Sequence, residues 1–191
     1  MNTYITTNDQ FISVITKVKN SIFWLTSLLF IIIMSSAIAA KTVIACVGNS
    51  LTERNPKGGD NYVTQLAQML GSEYEVINSG ASGCTMSKKT SYPYWKEEKF
   101  KEIFKIKPDI VTIMLGTNDA KSGNWKRGKD CFQKDAQAMV DSILTISPKP
   151  LLFLVLPPPV ATGKYSMNEN AILEQIPMLL AVAKKSEVNV I

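Results

Sequence analysis

The sequence predicts an α/β fold built on a parallel sheet, and two observations support this. Short, continuous apolar runs such as Thr42–Val47 and Leu151–Leu156 are typical of strands buried on both faces of a parallel sheet. Longer segments with apolar residues at helical spacing lie between these runs, as in Asp60–Leu70. Strands that alternate with helices indicate right-handed crossovers, which place helices on both faces of the sheet.

The elements follow one another in a regular order, and glycine and proline residues mark several of their ends. Gly48 ends the first strand, Gly71 closes the helix after it, and Pro157 stops the fourth strand. The predicted strands are Thr42–Val47, Tyr74–Ile77, Asp109–Leu115, Leu151–Leu156 and Val188–Ile191. The predicted helices are Asp60–Leu70, Pro93–Lys105, Phe132–Ile146 and Asn168–Lys185. Since the fifth strand only begins before Ile191, we expect it to be truncated.

The composition excludes several classes of function. The 191 residues fit one folded domain, and the net charge of +5 comes without an arginine-rich run, so nucleic acid is not expected as a partner. The chain has no histidine, which excludes histidine metal sites and histidine general bases within it. Cys46, Cys84 and Cys131 are too widely spaced for a CxxC-type metal or redox site. We therefore expect no metal and no cofactor, and Cys46 is expected to be a small core residue.

The N-terminal segment has the features of a secretory signal peptide. Two lysines precede the apolar stretch Ile22–Met34, and an alanine-rich segment with an A-x-A pattern follows it. This stretch is short for the roughly 20 residues that a spanning helix needs. We predict that residues 1–40 direct secretion or transfer to the periplasm, with cleavage after Ala39 or Ala40. An uncleaved membrane anchor through residues 22–34 is the alternative, and residues 41–191 form the folded domain in either case.

Three polar loops follow the first three predicted strands: Gly48–Thr52, Asn78–Gly83 and Gly116–Asp119. The carboxyl ends of parallel strands meet at one edge of the sheet, where functional groups collect. A serine at a strand-to-helix turn is well placed as a nucleophile, and glycine-flanked N–H groups with an asparagine amide can stabilise an oxyanion. Each loop alone is an ordinary turn sequence. Their order after consecutive strands is what favours an acyl-transfer site at this edge.

These loops resemble the sequence blocks of the SGNH/GDSL hydrolases. Gly48–Thr52 is similar to the first block, Gly83 falls at the glycine of the second, and Gly116–Asp119 matches the third. The resemblance extends over about residues 41–191. It implies a flavodoxin-like three-layer α/β/α sandwich with a parallel sheet of about five strands, in agreement with the strand and helix pattern.

The resemblance also implies roles for particular residues. Ser50 would be the nucleophile of a carboxylic ester hydrolase and would form an acyl-enzyme. The backbone N–H groups of Ser50 and Gly83, with the Asn118 side chain, would form the oxyanion hole. Asp119 would brace its loop, and its carboxylate is a poor match to a serine hydroxyl as a base.

The sequence departs from the SGNH/GDSL pattern at two places. Asn49 stands where the first block usually has aspartate, so we expect altered local hydrogen bonding but not loss of function. The aspartate and histidine of the family come from an Asp-x-x-His segment after the fifth strand. No position here matches that segment, and we expect the domain to be C-terminally incomplete. The sequence therefore does not establish whether this histidine-free chain is active.

Three further segments favour a substrate class within the family. Pro93–Lys96, Asn124–Trp125 and Leu156–Pro159 look similar to bacterial carbohydrate O-acetylesterases, including those that act on sialate. This similarity predicts removal of O-acetyl or other short acyl groups from a carbohydrate or small-molecule ester. Trp125 has two interpretations: it stacks on a sugar ring near the site, or it anchors its loop on the domain.

Other functions were weighed against this prediction. An inactive carbohydrate-binding relative would keep the pocket without turnover, and a lysophospholipase or thioesterase would use the same site on other esters. A nucleotide-binding or lipase-type enzyme is disfavoured, because no GxGxxG follows a strand and Thr52 stands where a Gly-x-Ser-x-Gly elbow needs glycine.

Overall fold

The computed structural model describes residues 16–24, 40–54 and 61–191. The chain divides into two units, Met1–Ala40 and Lys41–Ile191. In the first unit, residues 16–24 form helix α1. Most of the predicted apolar segment, including residues 25–34, and the cleavage site that follows it lie outside the described residues. Within the described part of the chain, no helix is both long and apolar enough to span a bilayer.

The second unit is built on a five-stranded sheet with the spatial order β2-β1-β3-β4-β5. Every neighbouring pair of strands is parallel. The strands are β1 (Thr42–Gly48), β2 (Tyr74–Gly80), β3 (Ile110–Met114), β4 (Leu151–Leu154) and β5 (Asn189–Val190). All five predicted strands are confirmed, with ends that differ by a few residues.

The two faces of the sheet carry separate apolar clusters. On β1, Ala45 and Val47 belong to the larger cluster, whereas Ile44 and Cys46 belong to a smaller one that includes Val63. Successive side chains of a strand point to opposite faces, so apolar residues cover both faces of the sheet. This arrangement is the three-layer α/β fold that the sequence predicts. Cys46 is fully buried, as expected of a core residue.

Helices follow the strands in the predicted order, but two of them differ from the prediction. They are α2 (Ser50–Glu53), α3 (Tyr62–Leu70), α4 (Glu98–Ile106), α5 (Ser122–Ile143) and α6 (Glu169–Ser186). A separate 3₁₀ turn, Tyr94–Lys96, precedes α4, so the single helix predicted from Pro93 was wrong at its start. Helix α5 begins ten residues before the predicted Phe132, because Trp125 and Gly128 already face the interior in its lysine-rich first half.

Candidate active site

Ser50 lies at the first position of α2, directly after β1. The Asn49 side chain caps this helix by accepting a hydrogen bond from the Leu51 N–H at 3.0 Å. The Asn49 carbonyl accepts from the N–H groups of Thr52 at 3.0 Å and Glu53 at 2.9 Å. Among the described residues, neither the N–H nor the hydroxyl of Ser50 has a hydrogen-bond partner. The turn therefore presents a serine with both groups available.

The asparagine at position 49 explains how this turn tolerates the departure from the family pattern. Its Oδ1 atom makes the helix cap, which an aspartate oxygen would make equally well. Its Nδ2 atom is buried and has no partner within the described residues. The altered hydrogen bonding expected at position 49 stays a prediction.

Helix α2 packs directly on the end of β2 because residue 80 is a glycine. A Cβ added at Gly80 would lie 2.2 Å from the Glu53 nitrogen and 2.7 Å from its Cα. Asn78 strengthens this contact, since its Nδ2 donates to the Thr52 carbonyl at 2.7 Å. The Ser50 turn and the end of β2 are therefore held together through backbone contact.

Gly83 lies in the loop after β2 with φ of +80°, a conformation that favours glycine. A Cβ at this position would meet nothing within 4 Å, so the requirement is conformational. The neighbouring Ser82 N–H donates to Glu53 Oε2 at 2.8 Å, and the Cys84 N–H donates to the Ala81 carbonyl at 3.2 Å. The Gly83 N–H itself has no partner among the described residues.

Asn118 lies in the loop after β3, where it is 5% exposed. Its Nδ2 atom donates to the Cys84 carbonyl at 3.1 Å, which places the amide beside the Gly83 turn. Its own carbonyl accepts from Asn124 Nδ2 at 2.8 Å. Ser50, Gly83 and Asn118 thus lie on the loops after β1, β2 and β3, at the same edge of the sheet.

Asp119 braces the loop that continues from Gly83. Its two carboxylate oxygens accept from the Met86 N–H at 2.8 Å and the Ser87 N–H at 2.9 Å. Burial raises the pKa of Asp119 to about 7, and the nearby Asp135 adds to this rise. Asp119 was expected to brace its own loop, and these contacts show that it holds the loop after β2. Both oxygens are engaged with the loop and face backbone donors.

Three contacts at this edge were not found from the sequence. Glu53 holds Ser82, and Lys99 pairs with Glu53 at 3.4 Å. Asp135 on α5 accepts from the Lys88 N–H at 2.7 Å. These pairs are 29 to 47 residues apart in the chain, and no local pattern signals them.

Trp125 is a core residue of α5 with an exposed fraction of 6%. Its ring meets Phe132 edge-on, with 5.5 Å between the ring centroids. Sugar stacking by Trp125 is therefore wrong, because its ring is enclosed by the domain. The anchoring interpretation is the correct one. Within the described residues, no cluster of three potential metal-ligating side chains occurs.

The serine, the left-handed glycine and the buried asparagine amide lie at the sheet edge where the resemblance to the SGNH/GDSL hydrolases places them. The chain belongs to the GDSL-like lipase/acylhydrolase family, whose model matches residues 46–191.

Several known proteins are similar to this chain. An acetylxylan esterase of Xylanibacter ruminicola is 31% identical over 169 residues, which cover 78% of this chain. The aligned part is 35% of that esterase, so the chain spans about a third of the length of this curated relative. A carbohydrate acetylesterase from Sinorhizobium meliloti superposes with a TM-score of 0.63 and 25% identity, covering 79% of this chain and 83% of that one. The native aryl esterase of M. smegmatis gives the same score and identity, covering 80% and 83%.

Proposed function

We propose that this protein removes O-acetyl or other short acyl groups from carbohydrates through an acyl-enzyme on Ser50. The observation that carries the proposal is the set of unused donors at one sheet edge: the N–H groups of Ser50 and Gly83, beside the Asn118 amide. The names of the relatives, acetylxylan esterase and carbohydrate acetylesterase, support an acetylated carbohydrate as substrate.

In this mechanism the Ser50 oxygen attacks the ester carbonyl and forms a tetrahedral intermediate. The negative charge on the former carbonyl oxygen is stabilised by the three donors. Collapse of the intermediate expels the alcohol and leaves an acyl group on Ser50, and water then releases the acid. The Ser50 proton needs a base. Because these 191 residues contain no histidine, the proposal assigns to this chain the nucleophile and the oxyanion donors only.

Asn118 has a defined place in this proposal. Its amide is fixed by the Cys84 carbonyl on one N–H, and its second N–H is the one that would meet the oxyanion. Removal of one oxyanion donor typically lowers kcat by about 10²–10³-fold. Asn118→Ala should therefore lower kcat with little effect on KM, because the interaction forms in the transition state.

The proposal is tested by hydrolysis of p-nitrophenyl acetate and of longer p-nitrophenyl esters, with protein from the full reading frame. Ser50→Ala should lower kcat by about 10³-fold or more. Ser72→Ala is the matched control, since Ser72 is exposed before β2, at the opposite edge of the sheet. Equal rates for the wild type and Ser50→Ala would remove Ser50 from the mechanism.

The same assay separates the alternatives. Preference for acetate over longer acyl chains supports the acetylesterase, whereas preference for long acyl chains or thioesters indicates a lysophospholipase or thioesterase. Binding of an acetylated oligosaccharide without turnover by the wild type would indicate a carbohydrate-binding protein.

We also propose that residues 1–40 direct export of the protein. The support is the order of lysines, apolar stretch and alanine-rich segment in the sequence. N-terminal sequencing of the protein recovered from the periplasm or the medium tests it. A mature chain that begins at Ala40 or Lys41 is expected, and an intact N-terminus in the membrane fraction would indicate the uncleaved anchor.

A further inference from the structure

Arg127 is an exposed arginine whose guanidinium group is held in place by neutral side chains. Its Nη2 atom donates to Asn124 Oδ1 at 2.8 Å and to Ser91 Oγ at 3.3 Å. Three ion pairs occur among the described residues, and Arg127 is in none of them. The remaining N–H groups, on Nε and Nη1, have no hydrogen-bond partner in the described part of the chain. The group thus combines a fixed position with an uncompensated charge.

Arg127 is connected directly to the candidate active site through Asn124. The Asn124 amide accepts from Arg127 at Oδ1 and donates from Nδ2 to the Asn118 carbonyl at 2.8 Å. One side-chain amide therefore separates the guanidinium from the backbone of an oxyanion residue. These two hydrogen bonds link the guanidinium to the loop after β3 that contains Asn118.

The Ser91 partner is also fixed, because it lies in a tightly bonded loop. The Thr85 N–H donates to the Tyr92 carbonyl at 2.9 Å, and the Thr90 hydroxyl donates to the Ser87 carbonyl at 3.0 Å. This loop lies against α5 at Gly128, where an added Cβ would come within 2.7 Å of Ser87 Oγ. A side chain oriented before binding loses less entropy when a ligand arrives.

The charge around Arg127 is mainly positive, although the exposed Asp130 lies three residues further along α5. In residues 83–96 and 118–129 the single acidic residue is Asp119, which is 1% exposed and engaged with backbone N–H groups. Of the basic residues there, only Lys129 is in an ion pair, with Glu174. The basic residues of these two segments are Lys88, Lys89, Lys96, Lys121, Lys126, Arg127 and Lys129. The field on this side of the site therefore favours an anionic ligand.

We propose that Arg127 binds a carboxylate of the substrate, so that the preferred substrate is an O-acetylated acidic oligosaccharide that carries a uronic acid. The guanidinium fork matches the geometry of a carboxylate and makes charge-assisted hydrogen bonds with it. This inference rests on the proposed esterase function, since it adds a second contact point for the alcohol portion of the same ester. Its nearest alternative is that Arg127 only ties Ser91 to α5.

The test measures binding of an acetylated glucuronoxylan oligosaccharide and of its carboxyl-reduced counterpart, which has the same size without the charge. Calorimetric titration uses the Ser50→Ala variant, in which no turnover is expected. We expect the acidic ligand to bind about twofold to fivefold more tightly, the range for one exposed ion pair. Raising NaCl from about 20 mM to about 500 mM should remove most of this preference through screening.

When Arg127→Gln is added to the Ser50→Ala variant, the acidic and the carboxyl-reduced ligand should bind with equal affinity. Lys149→Gln is the matched control, because it removes one exposed positive charge at the opposite edge of the sheet and should leave the preference intact. Equal affinities of the acidic and neutral ligands at low salt, or a preference that survives Arg127→Gln, would overturn the inference. Turnover of either ligand by Ser50→Ala would instead contradict the proposed role of Ser50, whatever the affinity ratio.

Discussion

The loop that contains Gly83 is held by carboxylates in two contrasting environments. On one side, Glu53 accepts the Ser82 N–H with a side chain that is 39% exposed. On the other side, Asp119 accepts the Met86 and Ser87 N–H groups while 1% exposed. We call Glu53 the exposed anchor and Asp119 the buried anchor of this loop. Each accepts hydrogen bonds from backbone N–H groups that have no acceptor within the loop itself.

Because of this difference in environment, the pKa values of the two anchors are shifted in opposite directions. Hydrogen bonding from Ser82 and the neighbouring Lys99 ammonium lower the pKa of Glu53. Burial raises the pKa of Asp119 to about 7. Folding therefore favours the ionised form of the exposed anchor and the protonated form of the buried one. The candidate oxyanion turn lies between them.

The largest effect is expected from removal of the buried anchor. Asp119→Ala leaves the Met86 and Ser87 N–H groups without acceptors in a buried loop. Each unsatisfied donor costs about 1–3 kcal/mol, so we expect the free energy of unfolding to fall by about 3 kcal/mol at pH 5. Urea unfolding followed by circular dichroism measures this change.

Asp130→Ala is the control for that substitution. Asp130 is an exposed residue of α5, and its side chain makes no hydrogen bond to the described residues. Its effect should stay within about 0.5 kcal/mol. Comparable losses in both variants would show that Asp119 does not brace the loop.

The pH dependence of stability tests the raised pKa of Asp119. The folded-state pKa of Asp119 lies above its unfolded value of 3.8, so the folded state binds the extra proton. The free energy of unfolding should therefore fall as the pH rises from about 4 to about 7. Urea titrations across this range should show a negative slope in the wild type that is absent in Asp119→Ala, so the two proteins converge towards pH 7. A parallel pair of curves would contradict the raised pKa.

The strands could be predicted from the sequence because their signal is local. The runs that became β1 and β4 are apolar throughout, and their lengths suit strands buried on both faces. The start of α5 could not be predicted in this way. Its first half is held by contacts with a distant loop, including the Gly128 carbonyl that accepts from Ser87, 41 residues away. Periodicity within a helix does not reveal such a contact.

For the candidate site, the sequence predicted where the residues lie but not the contacts that hold them. The placement of Ser50, Gly83 and Asn118 at one sheet edge follows from strand order, which a sequence pattern shows. The hydrogen bonds of the two anchors could not be predicted from strand order. Glu53 and Ser82 are 29 residues apart in the chain, and Asp119 and Met86 are 33 apart. Trp125 shows the same limit, since exposure of an aromatic ring is decided by packing against Phe132.

A smaller effect is expected where backbone packing supports the exposed anchor. Gly80→Ala would place a Cβ 2.2 Å from the Glu53 nitrogen, so α2 has to move away from β2. Overpacking of this kind costs about 1–3 kcal/mol of unfolding free energy. The hydrolysis of p-nitrophenyl acetate should fall about 100-fold, since a displacement of about 1 Å at Ser50 disrupts the reaction geometry.

Gly123→Ala is the matched control for Gly80→Ala. Gly123 lies in α5, and a Cβ added there would lie 3.8 Å from the Arg127 Nη1 atom, an ordinary van der Waals contact. Alanine in a helix stabilises the protein by about 0.5–1 kcal/mol relative to glycine. A loss of stability in Gly123→Ala equal to that in Gly80→Ala would show that the close approach of α2 to β2 is not the cause.

The smallest effect is expected from the exposed anchor itself. Glu53→Gln keeps an oxygen that can accept the Ser82 N–H but removes the charge that faces Lys99. An ion pair this exposed is worth at most about 1 kcal/mol and is screened by salt. Glu53→Gln should therefore lower the free energy of unfolding by less than 1 kcal/mol at pH 7 and low salt, by the same scale. The difference from the wild type should vanish as the pH falls through the lowered folded-state pKa of Glu53, because protonation then removes the same charge. A loss as large as that of Asp119→Ala would mean that exposure does not set the strength of these anchors.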